Sequence, residues 1–272
     1  MLIERSKIES WLREDVGHHD VTNDVPGETT GRLVAKQDGV AAGLDAATAV
    51  FEYLGVTVTD CVEAGTRVET GEELLAVEGT ASDLLRGERV AANLVGHASG
   101  VATATRRAVD AAREVSDDVA VAATRKTTPG LRGIEKRAVV AGGGDTHRLT
   151  LSHMVLVKEN HIAELGLTAA VSRCVERVSF ATKVECEVET PADATRAAEA
   201  GADIVLLDNM SPAETHNAVE LLDGAALVEA SGGITHEDVP AYAEAGVDVI
   251  SMGSLTHSAD QLDLSFRTGE VG

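Results

Sequence analysis

The sequence has few cysteines, few aromatic residues and few lysines, and each shortage narrows what the protein can be. Three cysteines in 272 residues (Cys61, Cys174 and Cys186) are too few and too scattered for a disulfide framework or a Cys-x-x-Cys metal site, and this fits a reducing compartment. Aromatic residues make up 2% of the chain, and only six of its 23 basic residues are lysine. The 23 basic residues face 45 acidic residues, so the net charge is −22. A surface rich in acids and poor in lysine indicates adaptation to high salt.

The negative charge and the lack of long apolar runs exclude further classes. Nucleic acid phosphates and anionic membranes repel such a surface, so we expect neither as a partner. Apolar runs such as Val119 to Ala123 are far shorter than the roughly 18 residues of a membrane span. Residues 1–15 carry four acids where a secretory signal is apolar. We therefore expect a soluble, cytoplasmic, globular protein of one large or two modest domains.

The first hundred residues predict a small, mostly β layer with helices. Apolar residues at helical spacing predict a helix over residues 3–13. Between residues 31 and 77, short alternating runs separated by glycines predict strands, with one helix over residues 44–53. Residues 90–104 place apolar side chains on one face of a long amphipathic helix, which closes this region.

After about residue 117 the pattern changes to apolar runs that end in polar residues, each followed by a helical segment. The runs are residues 119–123, 154–157, 183–188, 203–207, 226–230 and 248–250. From Glu187 the polar ends recur at Asp208, Ser231 and Gly253, at intervals of 21, 23 and 22 residues, the length of one βα unit. Such units predict an incomplete TIM-like α/β barrel, whose active site collects the strand ends. A doubly wound open sheet is the alternative, weakened because no Gly-x-Gly-x-x-Gly follows a first strand.

Positive charge is concentrated in residues 124–161, where seven basic and three acidic residues give +4, so the rest of the chain carries −26. Guanidinium and ammonium groups at strand ends can clamp carboxylates and phosphates. The cations that we assign to an anion site on this ground are Arg125, Lys126, Arg148 and Lys158. Lys136 and Arg137 are interpreted instead as partners of surface acids on a helix.

Two glycine runs leave alternatives open. Gly142 to Gly144 can end a helix in a flexible turn, or form a backbone nest for an anion, and it precedes His147 and Arg148. Gly232 and Gly233 follow a strand and precede a helix predicted from Thr235. They form either a phosphate site at a helix N-terminus or a tight βα turn.

Two acids, Glu187 and Asp208, fall at neighbouring predicted strand ends. They suit Mg²⁺ bound through a diphosphate, or stabilisation of an oxocarbenium-like centre. Ion pairing with Lys126 or Lys158 is the simpler alternative. The residues taken alone predict a barrel enzyme that acts on a polyanionic small molecule.

Seven segments resemble, in the same order, the signature motifs of the quinolinate phosphoribosyltransferase family. The most specific is Thr-Arg-Lys-Thr-Thr-Pro-Gly-Leu-Arg at residues 124–132. The others are residues 135–139, 142–149, 157–161, 206–210, 229–234 and 250–258. The likeness continues through residues 14–22 and 88–103, so it extends over nearly the whole chain.

The resemblance implies conversion of quinolinate and phosphoribosyl pyrophosphate to nicotinate mononucleotide, pyrophosphate and CO₂ in de novo NAD biosynthesis, with Mg²⁺ as cofactor. It implies that quinolinate is held by Arg125, His147, Arg148 and Lys158, with Arg89 entering from the partner subunit. It places phosphoribosyl pyrophosphate among Lys126, Glu187, Asp208, Ser231, Gly232, Gly253 and His257. Within this set Lys126, Glu187 and Asp208 are the expected catalytic residues, and Glu187 and Asp208 the expected Mg²⁺ ligands through the diphosphate.

The resemblance also implies a domain organisation and an assembly. We expect an open-faced α/β sandwich over residues 1–107, onto which the tail 255–272 packs, and a barrel catalytic domain over residues 108–254. The expected assembly is a homodimer with shared active sites, and a hexamer is compatible with it.

The chain departs from the family pattern at a few positions. Glu159 stands where the family usually has Asp, His18-His19 where it usually has Gly, and Ala92 where Leu is common. None of these residues is an expected ligand. A pyrophosphorylase relative associated with molybdenum transport shares the scaffold, so the scaffold alone leaves the substrate open.

Two alternatives come from other functional classes. A Schiff-base lyase would use Lys158 as its nucleophile at a strand end, but this leaves Arg125, Arg148 and His147 without a role. Residues 62–74 resemble a biotinyl or lipoyl carrier module. Residues 54–79 contain no lysine to modify, so we interpret this resemblance as a shared structural pattern only.

Overall fold

The structure is a computed structural model that describes residues 3–269. Its helices are α1 (Arg5–Val16), α2 (Leu44–Tyr53), α3 (Ala81–Arg113), α4 (Arg132–Ala141), α5 (Glu159–Leu165), α6 (Leu167–Val175), α7 (Pro191–Glu199), α8 (Pro212–Leu222), α9 (Val239–Glu244) and α10 (Ser254–His257). Its strands are β1 (Glu28–Ala35), β2 (Gly39–Val40), β3 (Thr57–Cys61), β4 (Arg67–Val68), β5 (Glu73–Thr80), β6 (Ala120–Ala123), β7 (Val155–Val157), β8 (Val184–Val188), β9 (Ile204–Asp208), β10 (Leu227–Ser231), β11 (Val249–Met252) and β12 (Leu264–Thr268). Among the described residues, no helix is both long enough and apolar enough to cross a membrane.

The chain divides into two compact units. The first contains the residues up to Arg106, Thr128–Gly143 and the residues from Ser258 onward, and the second contains Arg107–Thr127 and Gly144–His257. Residues 128–143, which the sequence analysis includes in the barrel domain, therefore pack with the first unit.

The first unit is built on an antiparallel sheet with strand order β12-β1-β5-β3, and β2 pairs with β4 beside it. Strand β5 buries Leu74, Leu75 and Val77. Leu33 of β1 lies in the same core with Phe51 of α2 and Leu84 of α3. The C-terminal strand β12 pairs with β1. The predicted helix over residues 44–53 is confirmed as α2.

Helix α3 extends well beyond the predicted residues 90–104. At its start the Thr80 hydroxyl accepts from the backbone N–H of Asp83 and donates to the Asp83 carboxylate, which satisfies a free N–H of the first turn. Glycines inside the helix weaken the helical signal in the sequence. One of them is required by packing, because a Cβ at Gly100 would lie 2.1 Å from the Asp260 carbonyl oxygen.

Helix α4 corrects one prediction about charge. Arg137 pairs with Asp45 at 3.0 Å, but Lys136 is buried rather than on a solvated face. Glu135 is fully buried, lies 2.9 Å from Nε2 of His97 and accepts from the backbone N–H of Thr128. These contacts explain why α4 groups with the first unit.

The second unit is a parallel sheet with strand order β6-β11-β10-β9-β8-β7. Each predicted apolar run from residue 119 onward corresponds to one of these strands. The first strand of this unit, β6, pairs with its last strand, β11, as in a barrel, whereas the sheet order leaves β6 and β7 unpaired with each other. Asp145 bridges to β6 at its open side: its N–H donates to the Val121 carbonyl and its carbonyl accepts from the Ala123 N–H. The predicted incomplete α/β barrel is confirmed.

Candidate active site

The carboxyl ends of the parallel strands meet at one edge of the second unit. Asp208 of β9 pairs in register with Ser231 of β10, and Ser231 with Ser251 of β11. Ala123, the last residue of β6, pairs with Met252. Because these strand ends are in register, the side chains that follow them share one edge, the location of the active site in α/β barrels.

Two arginines at this edge lie close enough to repel each other. Arg148 is 9% exposed, and burial, followed by the charge of Arg125, lowers the pKa of its guanidinium. The charges of Glu185 and Glu187 act in the opposite direction. Nε of Arg125 is buried without a hydrogen-bond partner among the described residues. Two guanidinium groups whose charges interact, one of them with an unused buried donor, are suited to binding an anion.

His147, predicted to bind quinolinate, is held on the interior side of the same edge. Its backbone has φ of 51°, a conformation uncommon outside glycine, and its N–H donates to the Asp145 carboxylate. Nε2 lies 2.8 Å from Oε2 of Glu229 and 3.6 Å from Oε2 of Glu185. Burial opposes the charged ring, but the nearby carboxylates of Glu185 and Glu229 outweigh burial and raise the pKa of His147 to about 10.

Glu185 and Glu229 are the site residues that sequence reasoning missed. They are 0% and 1% exposed, on β8 and β10. Burial, followed by the charge of Glu229, raises the pKa of Glu185. An available signal was their position inside apolar strand runs, where an unpaired acid is costly.

The predicted acids at the edge have partners in this structure. Lys158, at the end of β7, forms an ion pair with Glu187 of β8, as one of the two sequence interpretations expected. Asp208 accepts from the side-chain amide of Asn209 at 2.8 Å. A substrate or metal ion that binds Glu187 must therefore share or displace the lysine.

The Gly232 turn requires glycine. Gly232 has φ of 101°, and a Cβ there would lie 2.4 Å from Oδ1 and 2.7 Å from N of Asn209. Asn209 is itself in the left-handed region, with φ of 56°, and its N–H donates to the Ser231 carbonyl. The turn after β10 thus packs directly against the turn after β9.

A second close approach brings three predicted residues together. A Cβ at Gly253 would lie 2.8 Å from Cδ of Lys126 and 3.6 Å from Cδ2 of His257. The Thr256 hydroxyl donates to the Lys126 carbonyl and fixes this loop. The result is an amine and an imidazole beside an open backbone, which suits a phosphate group.

The prediction of a helix that begins at Thr235 is wrong. Residues 235–238 form a turn in which Asp238 accepts from the N–H and hydroxyl of Thr235, and α9 begins only at Val239. A phosphate at Gly232 would therefore meet loop amides and not a helix N-terminus. Gly142 is confirmed as the C-cap of α4.

Arg89 lies on α3 in the first unit, where its side chain is 60% exposed and contacts Glu88 at 3.4 Å. Its role as a ligand supplied to a partner's site stays a prediction.

Two groups of residues are candidates for a metal ion. Glu187 and Asp208 offer carboxylate oxygens on adjacent strands, the donors that Mg²⁺ prefers when phosphate supplies the remaining ligands. In the second group, His147, Glu185 and Glu229, the ligand atoms lie within 4.8 Å of one another. The 2.8 Å contact of Nε2 with a carboxylate, which only accepts, assigns a hydrogen to that nitrogen, so we describe this group as an ion pair.

Comparison with known proteins agrees with the fold described above. Residues 19–99 match the N-terminal domain, and residues 101–267 the C-terminal domain, of quinolinate phosphoribosyl transferase. The chain is 46% identical over 270 residues to a Methanothermobacter thermautotrophicus protein named "Probable nicotinate-nucleotide pyrophosphorylase (carboxylating)", covering 96% of this chain and 97% of that protein. It is 41% identical to the human nicotinate-nucleotide pyrophosphorylase (carboxylating), covering 96% and 90%. The structure of the nicotinate-nucleotide pyrophosphorylase from Francisella tularensis superimposes with a TM-score of 0.92 at 30% identity, covering 98% of each chain.

Proposed function

The chain belongs to the quinolinate phosphoribosyltransferase family, and we propose that it transfers the phosphoribosyl group of phosphoribosyl pyrophosphate to quinolinate. The products are nicotinate mononucleotide, pyrophosphate and CO₂, and the step belongs to de novo NAD biosynthesis. The observation that carries this proposal is the pair of neighbouring guanidinium groups, Arg125 and Arg148, at the barrel edge of a chain with a net charge of −22.

Quinolinate is a dianion, and the cations at this edge match its two carboxylates. Arg148 is nearly buried and its charge is opposed by Arg125, so a carboxylate placed between them relieves their repulsion. His147 adds an imidazolium, since its raised pKa keeps the ring charged at neutral pH. Lys158 completes the set once its ion pair with Glu187 opens or is shared.

Phosphoribosyl pyrophosphate fits the other half of the edge. The Gly232 turn and Ser231 would supply backbone and hydroxyl donors for the 5′-phosphate, and Gly253 and His257 would border it. Lys126 would hold the diphosphate that leaves. Glu187 and Asp208 would hold Mg²⁺ beside that diphosphate, where the ion would neutralise part of its charge.

The reaction then needs two bond changes. The ring nitrogen of quinolinate forms a bond to C1′ of the ribose while the C1′–O bond to pyrophosphate breaks, and both electrons leave with pyrophosphate. The ribosyl centre passes through a cationic state, which Glu187 and Asp208 would stabilise. The bond from C2 to its carboxylate then breaks to release CO₂. The electron pair stays at C2 beside the quaternised nitrogen until a proton replaces the lost carboxylate.

The assembly and the conditions belong to the same proposal. A homodimer, in which Arg89 of each subunit reaches the partner's quinolinate site, would cover the open side of an incomplete barrel. High salt would screen the acidic surface.

The decisive assay incubates the protein with quinolinate, phosphoribosyl pyrophosphate and Mg²⁺ in molar KCl, and measures released CO₂ and nicotinate mononucleotide. Nicotinate, which lacks the 2-carboxylate, is the matched control and should be a poor substrate. Equal or better turnover of nicotinate would replace the proposal with a non-decarboxylating phosphoribosyltransferase. A borohydride trap with keto substrates tests the Schiff-base alternative at Lys158 and should leave no adduct.

A further inference from the structure

The barrel interior contains two buried acids that the proposed reaction does not use. Glu185 and Glu229 are 0% and 1% exposed. Both carboxylate oxygens of Glu185 and Oε1 of Glu229 are buried without a hydrogen-bond partner among the described residues. A buried carboxylate lowers the stability of the fold unless an opposite charge balances it. Two such acids side by side therefore need a nearby cation.

The group that Glu229 contacts is the ring of His147, at 2.8 Å from Nε2, with Glu185 at 3.6 Å from the same nitrogen. Because an ionised carboxylate only accepts, Nε2 carries a hydrogen and donates it to Glu229. Asp145 holds the backbone of His147 from the side of β6. The residue is thus fixed from β6, β8 and β10 at once.

The charged groups around the ring come from every element packed against it. Glu185 faces it from β8 and Glu229 from β10, while Asp145 and Arg148 belong to its own segment. Arg148 in turn interacts electrostatically with Arg125, which follows β6, and with Glu187 on β8. Of these side chains, the carboxylates of Glu229 and Glu185 lie nearest the ring nitrogen, at 2.8 and 3.6 Å.

We propose that Glu229, with Glu185 as a second carboxylate at the same nitrogen, is a positioning residue that fixes the ring of His147 and keeps it positively charged for quinolinate. Nε2–H donates to Glu229 in the barrel interior. The doubly protonated ring still has Nδ1–H as a second donor for quinolinate. The raised pKa of His147 agrees with this role. The inference rests on the proposed function only for the identity of the anion.

The main test is Glu229→Gln, which keeps the size of the side chain and one acceptor oxygen but removes the charge. The Michaelis constant for quinolinate should rise about tenfold or more near pH 8.5, because the ring is then mostly neutral, and the change should shrink near pH 6. The Michaelis constant for phosphoribosyl pyrophosphate should stay within about twofold. Glu229→Asp should recover part of the loss, and Glu185→Gln gives a second variant if Glu229→Gln folds poorly.

A matched control is available in the first unit. Glu135 is also fully buried and lies 2.9 Å from a histidine nitrogen, that of His97. Glu135→Gln removes a comparable buried carboxylate and should lower the melting temperature without changing the pH profile for quinolinate. If Glu229→Gln behaves like Glu135→Gln, with reduced stability and an unchanged pH profile, the two acids serve only the fold and the proposal is wrong.

A measurement without substrate separates this proposal from the function. Ring signals of ¹³C-labelled histidine, assigned with His147→Asn, report the titration of His147 in the free enzyme by NMR. The wild-type ring should stay charged to about pH 9, and the ring in Glu229→Gln should titrate nearer neutrality. A wild-type ring that titrates near its ordinary value overturns the positioning role even if quinolinate is turned over. Failure of turnover with the expected titration overturns the function and leaves the positioning of the ring intact.

Discussion

Replacing Gly232 by alanine should damage the proposed phosphate loop, and the neighbouring Gly233 provides a matched control. At Gly232 the new Cβ would lie 2.4 Å from Oδ1 of Asn209 and 2.7 Å from its backbone nitrogen, at φ of 101°. At Gly233, with φ of 63°, a Cβ meets nothing within 4 Å. Both variants therefore impose backbone strain, but only one forces the turn away from Asn209.

The magnitudes follow from these two environments. Strain at the unusual φ of Gly232 costs about 1–3 kcal/mol, and the forced displacement of a packed neighbour adds about 1–3 kcal/mol. Gly233→Ala should cost only about 1–2 kcal/mol, the penalty of the left-handed conformation. Because the Gly232 turn also donates to the 5′-phosphate in our proposal, Gly232→Ala should raise the Michaelis constant for phosphoribosyl pyrophosphate and leave that for quinolinate nearly unchanged.

The two quantities are measured by urea unfolding in molar KCl and by steady-state kinetics with each substrate varied in turn. The interpretation requires a larger loss of unfolding free energy, and a larger effect on phosphoribosyl pyrophosphate, in Gly232→Ala than in Gly233→Ala. Equal losses in the two variants would refute the steric argument. An effect confined to quinolinate would remove this turn from the phosphate site.

Four further outcomes are expected. Arg148→Ala should raise the Michaelis constant for quinolinate and lower turnover by a combined ~2–4 kcal/mol in kcat/KM, and an unchanged kcat/KM would remove it from the anion site. The melting temperature should climb steeply from low to molar KCl, whereas a flat profile would contradict adaptation to salt. Because the folded pKa of His147 is raised to about 10, its contribution to stability is complete below about pH 6.5 and is lost as pH rises toward 10, so the stability difference from His147→Gln should shrink over that range. Arg89→Ala and Asp208→Ala dimers should be nearly inactive, but an isolated mixed dimer should recover about half of the activity through one intact site, and no recovery would assign Arg89 to its own subunit.

The alternation of strands and helices was readable from the sequence because each strand of the barrel is a short apolar run closed by a polar residue. That pattern predicted the strands and the edge on which Asp208 and Ser231 lie. The pattern did not show which strands pair with each other, so the pairing of β6 with β11 is known only from the structure. The long helix α3 was underestimated because internal glycines, which packing requires, weaken the helical signal.

The candidate site was only partly predictable. Cations near strand ends stood out against an acidic chain, which is why Arg125, Arg148 and Lys158 could be named. Glu185 and Glu229 did not stand out, because an acid in an acidic sequence carries no compositional signal and its burial is a property of the fold. The prediction for Lys136 was wrong because a lysine on a helix suggests a solvated face, whereas the fold buries this one.

Charges of both signs act on Arg148 at the barrel edge. Arg125 opposes the charge of Arg148, while Glu185 and Glu187 favour it. The two acids thus allow the guanidinium groups to remain close together, and Nε of Arg125 keeps an unused donor. In the proposed function, an incoming dicarboxylate would replace repulsion between cations by attraction, at a place where the burial of Arg148 restricts water. On this proposal an acidic protein would bind a dianion because the local charge beside these few side chains, and not the net charge of the surface, decides binding.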